Sequence, residues 1–155
     1  MNILNDDVFF MRLALKEAQI AADSGEIPCG AVIVLDNIVI GKAHNQTEKI
    51  NDATAHAEIL AITQASQYLK NWRLKNTVMY ITKEPCPMCA GAIVLSRIKR
   101  VVWGMSDPKR GGAQSRFNIL KDPNLNHKVD CTAGVLQDDC MILMQNFFKN
   151  IRSNK

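Results

Sequence analysis

The chain has 155 residues, a length that suits one domain with a sizeable hydrophobic core. Its composition is 47% hydrophobic and 22% charged, which excludes a disordered or collagen-like chain. The net charge of +4 permits an anionic partner without requiring one. The longest stretch without Asp, Glu, Lys or Arg is 12 residues, Pro85 to Ser96, whereas a membrane span needs about 20 apolar residues, so we expect no membrane association.

The N-terminal residues predict the compartment, and the compartment bears on the cysteines. Residues 1–7 contain no basic stretch followed by an apolar one, so we expect no signal peptide and a cytoplasmic location. Of the five cysteines, Cys29, Cys131 and Cys140 lie in apolar or strand-like surroundings. In a reducing compartment we expect these three to be small buried hydrophobic residues.

The first part of the chain predicts one helix and one hairpin. Residues 6–24 predict an amphipathic helix that covers a sheet, capped by Asn5 or Asp6 and ended by Gly25. Its apolar residues recur at helical spacing: Val8, Met11, Leu15, Ala18 and Ala22. Residues 28–45 predict a β-hairpin, because a β-rich run is followed by the turn pair Asp36-Asn37 and a second apolar run.

The middle of the chain alternates predicted helices and strands. We predict a helix over 53–69, a strand over 76–83, a helix over 87–97 and a strand over 100–105. In the first of these helices, the apolar residues Ile59, Leu60, Ile62 and Ala65 are expected to form the buried face. This alternation implies parallel strands covered by helices. In such sheets, functional sites gather at the carboxyl ends of the strands.

The last third begins with a predicted loop over 106–126, since Asp107-Pro108, Gly111-Gly112 and Asp122-Pro123 all break regular structure. A final strand is predicted over 128–132 and a final helix over 137–152. Four residues of that helix are expected to face the core: Cys140, Leu143, Met144 and Phe147.

Cys86 and Cys89 form a Cys-x-x-Cys pair after the third predicted strand. Pro87 suits the first position of a helix, which would make Cys86 the N-cap and Cys89 the third helical residue. The N-terminal N–H groups and the helix dipole favour negative charge there, so thiolates are stabilised. Zinc binds thiolate and imidazole in tetrahedral geometry.

His56 and Glu58 belong to a second motif, Thr54-Ala55-His56-Ala57-Glu58. Residues two apart point to different sides of an ideal helix, so one site needs His56 at the point where the chain enters the helix. We predict that His56 binds the metal and that Glu58 does not. Three ligands leave one position open for water, as in catalytic zinc sites, and a neighbouring carboxylate can then act as general acid and base.

Each motif alone has more ordinary interpretations. A lone Cys-x-x-Cys pair can be a redox pair, half of a structural zinc site or two buried thiols, and a lone His-x-Glu is more often a solvent-exposed or capping pair. Together, with proline before the first cysteine, they match H-x-E…P-C-x-x-C, the known signature of zinc nucleobase deaminases.

The chain resembles the bacterial tRNA-specific adenosine deaminases over nearly its whole length. Besides the zinc motifs, the resemblance rests on short segments spread along the chain: Glu26 to Val32, Asp52 to Glu58, Glu84 to Ala92, Ser96-Arg97-Ile98, Asp107-Pro108-Lys109 and Phe147-Phe148. It implies a three-layer α/β/α sandwich around a five-stranded mixed sheet, with residues 1–155 as a single zinc-dependent deaminase domain.

The same resemblance implies a function. The expected reaction is the zinc-dependent hydrolysis of adenosine to inosine at the wobble position of a tRNA anticodon, by a homodimer with one zinc per subunit and no organic cofactor. Glu58 would be the catalytic acid and base, and His56, Cys86 and Cys89 the metal ligands. The expected contacts with the anticodon stem-loop are Asn45, Asp107, Lys109, Phe148 and Arg152, with Lys149 beside them.

Two rival functions remain open at the level of sequence. A deaminase of a free base or nucleoside, such as guanine, cytosine or cytidine, would keep the whole zinc core. A non-catalytic, zinc-stabilised RNA-binding domain would need a fourth protein ligand. The nominal candidates for that ligand are Cys29, His44, Cys131 and Cys140.

Overall fold

The computed structural model describes residues 3–154. The elements in chain order are α1 (Ile3–Asp23), β1 (Gly30–Leu35), β2 (Ile38–His44), α2 (Ala57–Leu69), β3 (Val78–Lys83), α3 (Pro87–Leu95), β4 (Arg100–Met105), β5 (Asp130–Ala133) and α4 (Gln137–Ser153). No described helix combines the length and the apolar character needed to cross a bilayer. The predicted single domain also includes Met1, Asn2 and Lys155, which lie outside the described residues.

The five strands form one mixed sheet in the order β2-β1-β3-β4-β5. Strand β1 pairs antiparallel with both β2 and β3, whereas β3, β4 and β5 run parallel. The hairpin turns at Asp36 and Asn37, both with positive φ as a primed two-residue turn requires. The parallel pairing predicted from the β–α–β alternation is therefore confirmed.

Helices cover both faces of the sheet. In β1, Val32 and Val34 pack in a cluster with residues of α1 and α4, while Ala31 and Ile33 pack in a second cluster with residues of α2 and α3. This is the expected consequence of side chains alternating between the two faces of a strand. The predicted three-layer α/β/α sandwich is confirmed.

Several predicted boundaries are wrong by a few residues. Helix α1 begins at Ile3, so Asn5 and Asp6 lie in its first turn and do not cap it. Helix α2 begins at Ala57 and not at 53, because the Asp52 carboxylate accepts hydrogen bonds from the Thr54 N–H and hydroxyl, at 2.8 and 2.7 Å, and folds the preceding residues into a turn. Helix α3 ends at Leu95, and β5 lies slightly later than predicted.

The end of α1 follows the prediction. Gly25 has φ of +79°, its N–H bonds to the Ala22 carbonyl, and the Glu26 N–H bonds to the Ala21 carbonyl. These two bonds form the Schellman motif that glycine favours at a helix end.

The buried faces of α1 and α2 agree with the prediction only in part: Met11, Ala18 and Ala65 are buried as expected. Besides Phe10 and Met11 in α1, small residues are the ones fully buried against the sheet: Ala14, Ala18 and Ala21 in α1, and Ala57, Ala61 and Ala65 in α2. Both helices approach the sheet closely at glycines, since a Cβ on Gly30 would overlap the Ala14 carbonyl and one on Gly41 would lie 2.6 Å from the Ala61 carbonyl. Close approach favours alanine at the contact, and the other predicted face residues are only partly buried: Val8, Leu15, Ala22, Ile59, Leu60 and Ile62.

A buried ionic network fixes α1 to the sheet. The Asp7 carboxylate, 2% exposed, accepts hydrogen bonds from the Tyr80 hydroxyl at 2.9 Å and from the Arg100 guanidinium at 2.9 and 2.7 Å. Burial and the neighbouring Asp7 raise the pKa of Tyr80 well above its usual value. The hydroxyl therefore donates to Asp7 at neutral pH.

Asp7→Ala is expected to lower the free energy of unfolding by about 3 kcal/mol, because it leaves a partly buried guanidinium without its partner. Urea unfolding at neutral pH measures the change. Asp23→Ala is the control on the same helix, since Asp23 is exposed, and it should change the value by no more than about 0.5 kcal/mol. A loss below about 1 kcal/mol for Asp7→Ala would show that Arg100 and Tyr80 find other partners.

Candidate active site

The candidate ligands sit at the N-termini of the two helices on one face of the sheet. Cys86 is the N-cap of α3, Pro87 occupies its first position, and Cys89 is its third residue. His56 is the N-cap of α2, with extended backbone, and Glu58 lies in the first turn. Both predicted arrangements are confirmed. Helix N-termini present unpaired N–H groups, which favour the negative charge of thiolates.

Among residues 3–154, one set of side chains could hold a metal ion: His56, Cys86 and Cys89, called here the metal group. Each offers one ligand atom, and the three atoms lie within 4.8 Å of one another. The His56 Nδ1 atom lies 3.6 Å from Cys86 Sγ and 3.5 Å from Cys89 Sγ. A tetrahedral zinc ion with ordinary Zn–N and Zn–S bonds separates such atoms by about 3.6 Å. Both nitrogen–sulfur separations therefore suit a tetrahedral zinc ion.

The two thiols share a proton unequally. Hydrogen bonding from Cys89, reinforced by His56, lowers the pKa of Cys86 to about 4. The pKa of Cys89 is raised by the same bond and by its burial. The hydrogen bond that His56 donates to the Cys86 thiolate also raises the pKa of His56. A divalent cation among them would remove this competition, because its charge favours the thiolate form of both cysteines and the neutral form of the imidazole.

Glu58 is the other ionisable group at this site. Its side chain is 3% exposed, and its Oε1 atom has no hydrogen-bond partner among residues 3–154. Burial raises the pKa of the carboxyl group. A buried polar atom without a partner is costly in a folded protein and is usual only where a ligand or water completes it. Glu58 thus has a free oxygen and a raised pKa beside the three ligands.

None of the nominal fourth ligands joins the group within the described part of the chain. His44 bonds to Glu17 at 3.1 Å, the Cys131 thiol contacts the Val129 carbonyl at 3.5 Å, and Cys140 packs in the α1–α4 cluster on the other face of the sheet. Cys29 also lies outside the group, and burial, with the Glu58 charge adding to it, raises the pKa of its thiol. Three candidate ligands, without a fourth among residues 3–154, match the count expected of a catalytic zinc site, whereas a structural site normally has four protein ligands.

Comparison with known proteins agrees with this geometry. A family model described as MafB19-like deaminase matches residues 5–152. A tRNA-specific adenosine deaminase from Streptococcus pyogenes serotype M18 (strain MGAS8232) is 47% identical over 152 residues, covering 98% of this chain and 96% of the relative. The protein of the same name from Bacillus subtilis (strain 168) is 42% identical, covering 98% and 94%. The chain belongs to the tRNA-specific adenosine deaminase family.

Two solved structures share the fold of this chain. One from a study of A-to-I editing by tRNA:A34 deaminases at the wobble position of transfer RNA superposes on this deaminase with a TM-score of 0.84 and 41% identity, covering 87% of this chain and 98% of the other. A guanine deaminase from Nitrosomonas europaea has a TM-score of 0.78, 20% identity and coverage of 90% and 83%. At that identity, the second likeness shows only that the fold is shared.

Asn45 belongs to a segment that is hydrogen-bonded to the residues just before His56. It follows β2 and is 7% exposed, and its neighbour Gln46 donates its N–H to the carbonyl of Ala55, directly before His56. The Asn45 side-chain oxygen accepts from the Thr47 N–H at 3.3 Å and from the Thr47 hydroxyl at 2.5 Å. The side chain of Asn45 is thus held in one orientation before any substrate arrives.

Asp107 and Lys109 lie in the loop after β4. The Asp107 carboxylate pairs with Lys83 at 3.1 Å and accepts the N–H groups of Lys109 and Arg110, both at 3.1 Å. Lys109 is exposed. Sequence reasoning missed Lys83, and no pattern marks it, because its partner lies 24 positions later in a loop. The structure gives Asp107 a local role that needs no substrate.

The last two predicted contacts, Phe148 and Arg152, are not brought to the metal group by any described contact. They lie on α4, which packs on the α1 face of the sheet, whereas α2 and α3 carry the candidate ligands on the other. Phe147 is 9% exposed and Phe148 is 41% exposed, and their rings meet edge to face with centroids 5.4 Å apart. Phe148, Lys149 and Arg152 are therefore free to contact a large substrate.

Proposed function

We propose that this deaminase hydrolyses adenosine to inosine at the wobble position of a tRNA anticodon, with one zinc ion per subunit. The observation that carries the proposal is the three-ligand group of His56, Cys86 and Cys89 beside Glu58, a buried carboxylate with a free oxygen. The tRNA substrate is supported by the names of relatives that are 42–47% identical over nearly the whole chain.

The proposed metal ligands are His56 through Nδ1 and the two thiolates of Cys86 and Cys89. The distances from His56 Nδ1 to the two sulfur atoms suit tetrahedral zinc, and three protein ligands would leave one position for water. When bound, zinc supplies the polarisation that lowers the pKa of that water. The positions of both thiols at the start of α3 keep negative charge on the ligands.

Glu58 is proposed as the general acid and base. In the reaction, water adds to C6 of adenine and the amino group leaves as ammonia, so one proton must move from the water oxygen to the ring nitrogen and another to the departing amine. Glu58 accepts the water proton, donates it to the ring, and then transfers the second proton to the amine. A carboxylate whose pKa is raised by burial is suited to both directions of transfer.

The proposed RNA contacts come from three parts of the fold. Asn45 offers an oriented amide for a base or sugar edge. Asp107 and Lys109 would contact the RNA from the loop after β4. On α4, a loop base would stack on Phe148 while Lys149 and Arg152 meet phosphates. A wobble base in an anticodon loop is unpaired or cheaply extruded, so it can enter a buried site.

We also propose that residues 1–155 form a single zinc-dependent deaminase domain, that the protein is a cytoplasmic homodimer, and that it needs no organic cofactor. Light scattering of the zinc-loaded protein tests the dimer directly. A mass of one chain at micromolar concentration would exclude it.

The function is tested with an anticodon stem-loop that carries adenosine at the wobble position. We expect inosine in this RNA, none in a stem-loop with adenosine moved to another loop position, and no comparable turnover of free adenosine, guanine or cytidine. Turnover of a free base alone would keep the zinc chemistry and refute the tRNA substrate. Binding of the RNA without any deamination would favour the non-catalytic alternative.

A further inference from the structure

Glu84 is a buried carboxylate, 3% exposed, that stands two residues before Cys86. Its partners all lie in the segment after β4, residues 106–119, called here the Asp107 loop. One oxygen accepts the Asp107 N–H at 3.1 Å and the Ser115 hydroxyl, and the other accepts the N–H groups of Gln114 and Ser115, both at 3.0 Å. One side chain therefore ties together both halves of a loop that contains no helix or strand.

The Asp107 loop also lies directly against the metal-binding segment. The Gly112 N–H bonds to the Pro85 carbonyl at 2.7 Å, and a Cβ on Gly112 would lie 2.7 Å from backbone atoms of Cys86 and Pro87. A Cβ on Gly111 would overlap the Glu84 carboxylate. The paired glycines thus allow a close approach that any side chain would prevent.

Glu26 makes equivalent contacts with a second loop. It is 3% exposed, and its two oxygens accept the N–H groups of Lys49 at 2.7 Å and Glu48 at 3.3 Å. These amides belong to residues 45–55, called here the Asn45 loop, which joins Asn45 to His56. This loop also lacks regular structure apart from turns.

Neither carboxylate has a cationic partner among the described side chains, where the ion pairs are His44–Glu17, Lys83–Asp107 and Arg100–Asp7. Both carboxylates instead accept hydrogen bonds from converging backbone N–H groups, to which the Ser115 hydroxyl adds one more for Glu84. Burying a charge without a counter-ion is costly, and it becomes tolerable only when hydrogen bonds fix the surroundings. Each carboxylate therefore requires its loop in one conformation, and each loop requires its carboxylate.

We propose that Glu26 and Glu84 are positioning residues for the deamination. Each holds one of the two loops that carry the candidate substrate contacts, Asn45 on one and Asp107 with Lys109 on the other. Neither carboxylate belongs to the group of candidate metal ligands, and each would act through its loop. The catalytic part of this inference rests on the proposed function, whereas the holding of the loops does not.

Glu84→Gln and Glu26→Gln test the proposal, because glutamine keeps the shape but replaces one acceptor oxygen with an amide that must face N–H donors. Trypsin reports each loop separately: Lys49 lies in the Asn45 loop, and Lys109, Arg110 and Arg116 lie in the Asp107 loop. We expect Glu84→Gln to accelerate cleavage at Lys109, Arg110 and Arg116 by about tenfold, with the rate at Lys49 unchanged, and Glu26→Gln to do the reverse. Peptide mapping by mass spectrometry measures the rates.

Kinetics and a destabilised control separate positioning from a structural role. In both Glu→Gln variants we expect an unchanged zinc content and a KM for the anticodon stem-loop about tenfold higher, with kcat within about threefold of the native value. Asp7→Ala destabilises the protein far from either loop and should leave KM and the loop selectivity unchanged.

Failure of the positioning proposal and failure of the proposed function would give different results. Cleavage that rises equally at all sites in Glu84→Gln, as in a generally destabilised protein, would overturn the proposal, and so would loosened loops with a native KM. If the native protein itself does not deaminate the stem-loop, the proposed function fails, and that result is visible without any variant. The loop-selective cleavage pattern would still decide whether the two carboxylates hold the loops.

Discussion

Glu58→Ala is expected to lower the turnover of wobble adenosine by about 10³-fold or more while the protein keeps its fold and its metal. General acid–base catalysis by a positioned side chain contributes about 10²–10⁴-fold, and here one group serves both the addition of water and the departure of ammonia. Single-turnover formation of inosine measures the rate, and metal analysis of the same sample measures zinc. Because Glu58 is not among the three clustered ligands, the zinc content should stay at one per chain.

Glu58→Gln is the matched variant, since it preserves the volume and removes the basicity. An equal loss of turnover in Glu58→Gln and Glu58→Ala would assign the effect to proton transfer, and not to a cavity left by the shorter side chain. Loss of zinc in either variant would contradict the assignment, because it would make Glu58 a ligand. Turnover near the native level in Glu58→Gln would require another group to carry the protons.

The metal group could be predicted from the sequence because its geometry is set locally. Proline at the first helical position fixes Cys86 as N-cap and places Cys89 one turn away, so a few residues determine where both sulfurs lie. The position of His56 followed from a similar local constraint, since only a helix entry lets His56 and Glu58 serve one site. The two motifs meet through contacts between segments that are distant in the sequence. The sequence indicated this contact only through a known signature.

The errors arise where contacts between distant segments decide the structure. Helix α2 buries Ala61 and Ala65 and leaves Leu60 partly exposed, because its approach to Gly41 on β2 leaves no room for larger side chains. Hydrophobic periodicity predicts that leucine is buried in preference to alanine, because it contains no information on how closely the helix approaches the sheet. The start of α2 was misplaced for a related reason: Asp52 and Thr54 have weak intrinsic preferences, and their mutual hydrogen bonds favour a turn.

The two loop-holding carboxylates show the same limit at the site itself. Glu84 bonds to residues 23 to 31 positions later, and Glu26 bonds to residues 22 and 23 positions later. No periodic pattern links such positions. In the sequence, Glu84 and Glu26 were only parts of segments that resemble a family, and their hydrogen bonds give them a physical role. The candidate RNA contacts also came from resemblance, since Asn45, Lys109 and Phe148 lie on separate elements with no local signature.

Cys89→Ala is expected to remove zinc from the protein and to lower its stability and turnover together. Two remaining ligands hold zinc far more weakly than three, and metal binding to the native state contributes to stability by mass action. At a free zinc concentration about 1,000-fold above the dissociation constant, that contribution is about 4 kcal/mol. For a chain of this size it corresponds to a fall in Tm of about 8–16 °C.

Cys140→Ala is the matched control, because both thiols are buried, Cys89 at 0% and Cys140 at 3% exposure, and only Cys89 belongs to the metal group. The control removes the same atoms and should cost about 1 kcal/mol without loss of zinc. A chelator should lower the Tm of the native protein towards that of Cys89→Ala and should leave the variant unaffected. If Cys89→Ala instead retains one zinc per chain at the native Tm, then another side chain completes the site and the three-ligand assignment is wrong.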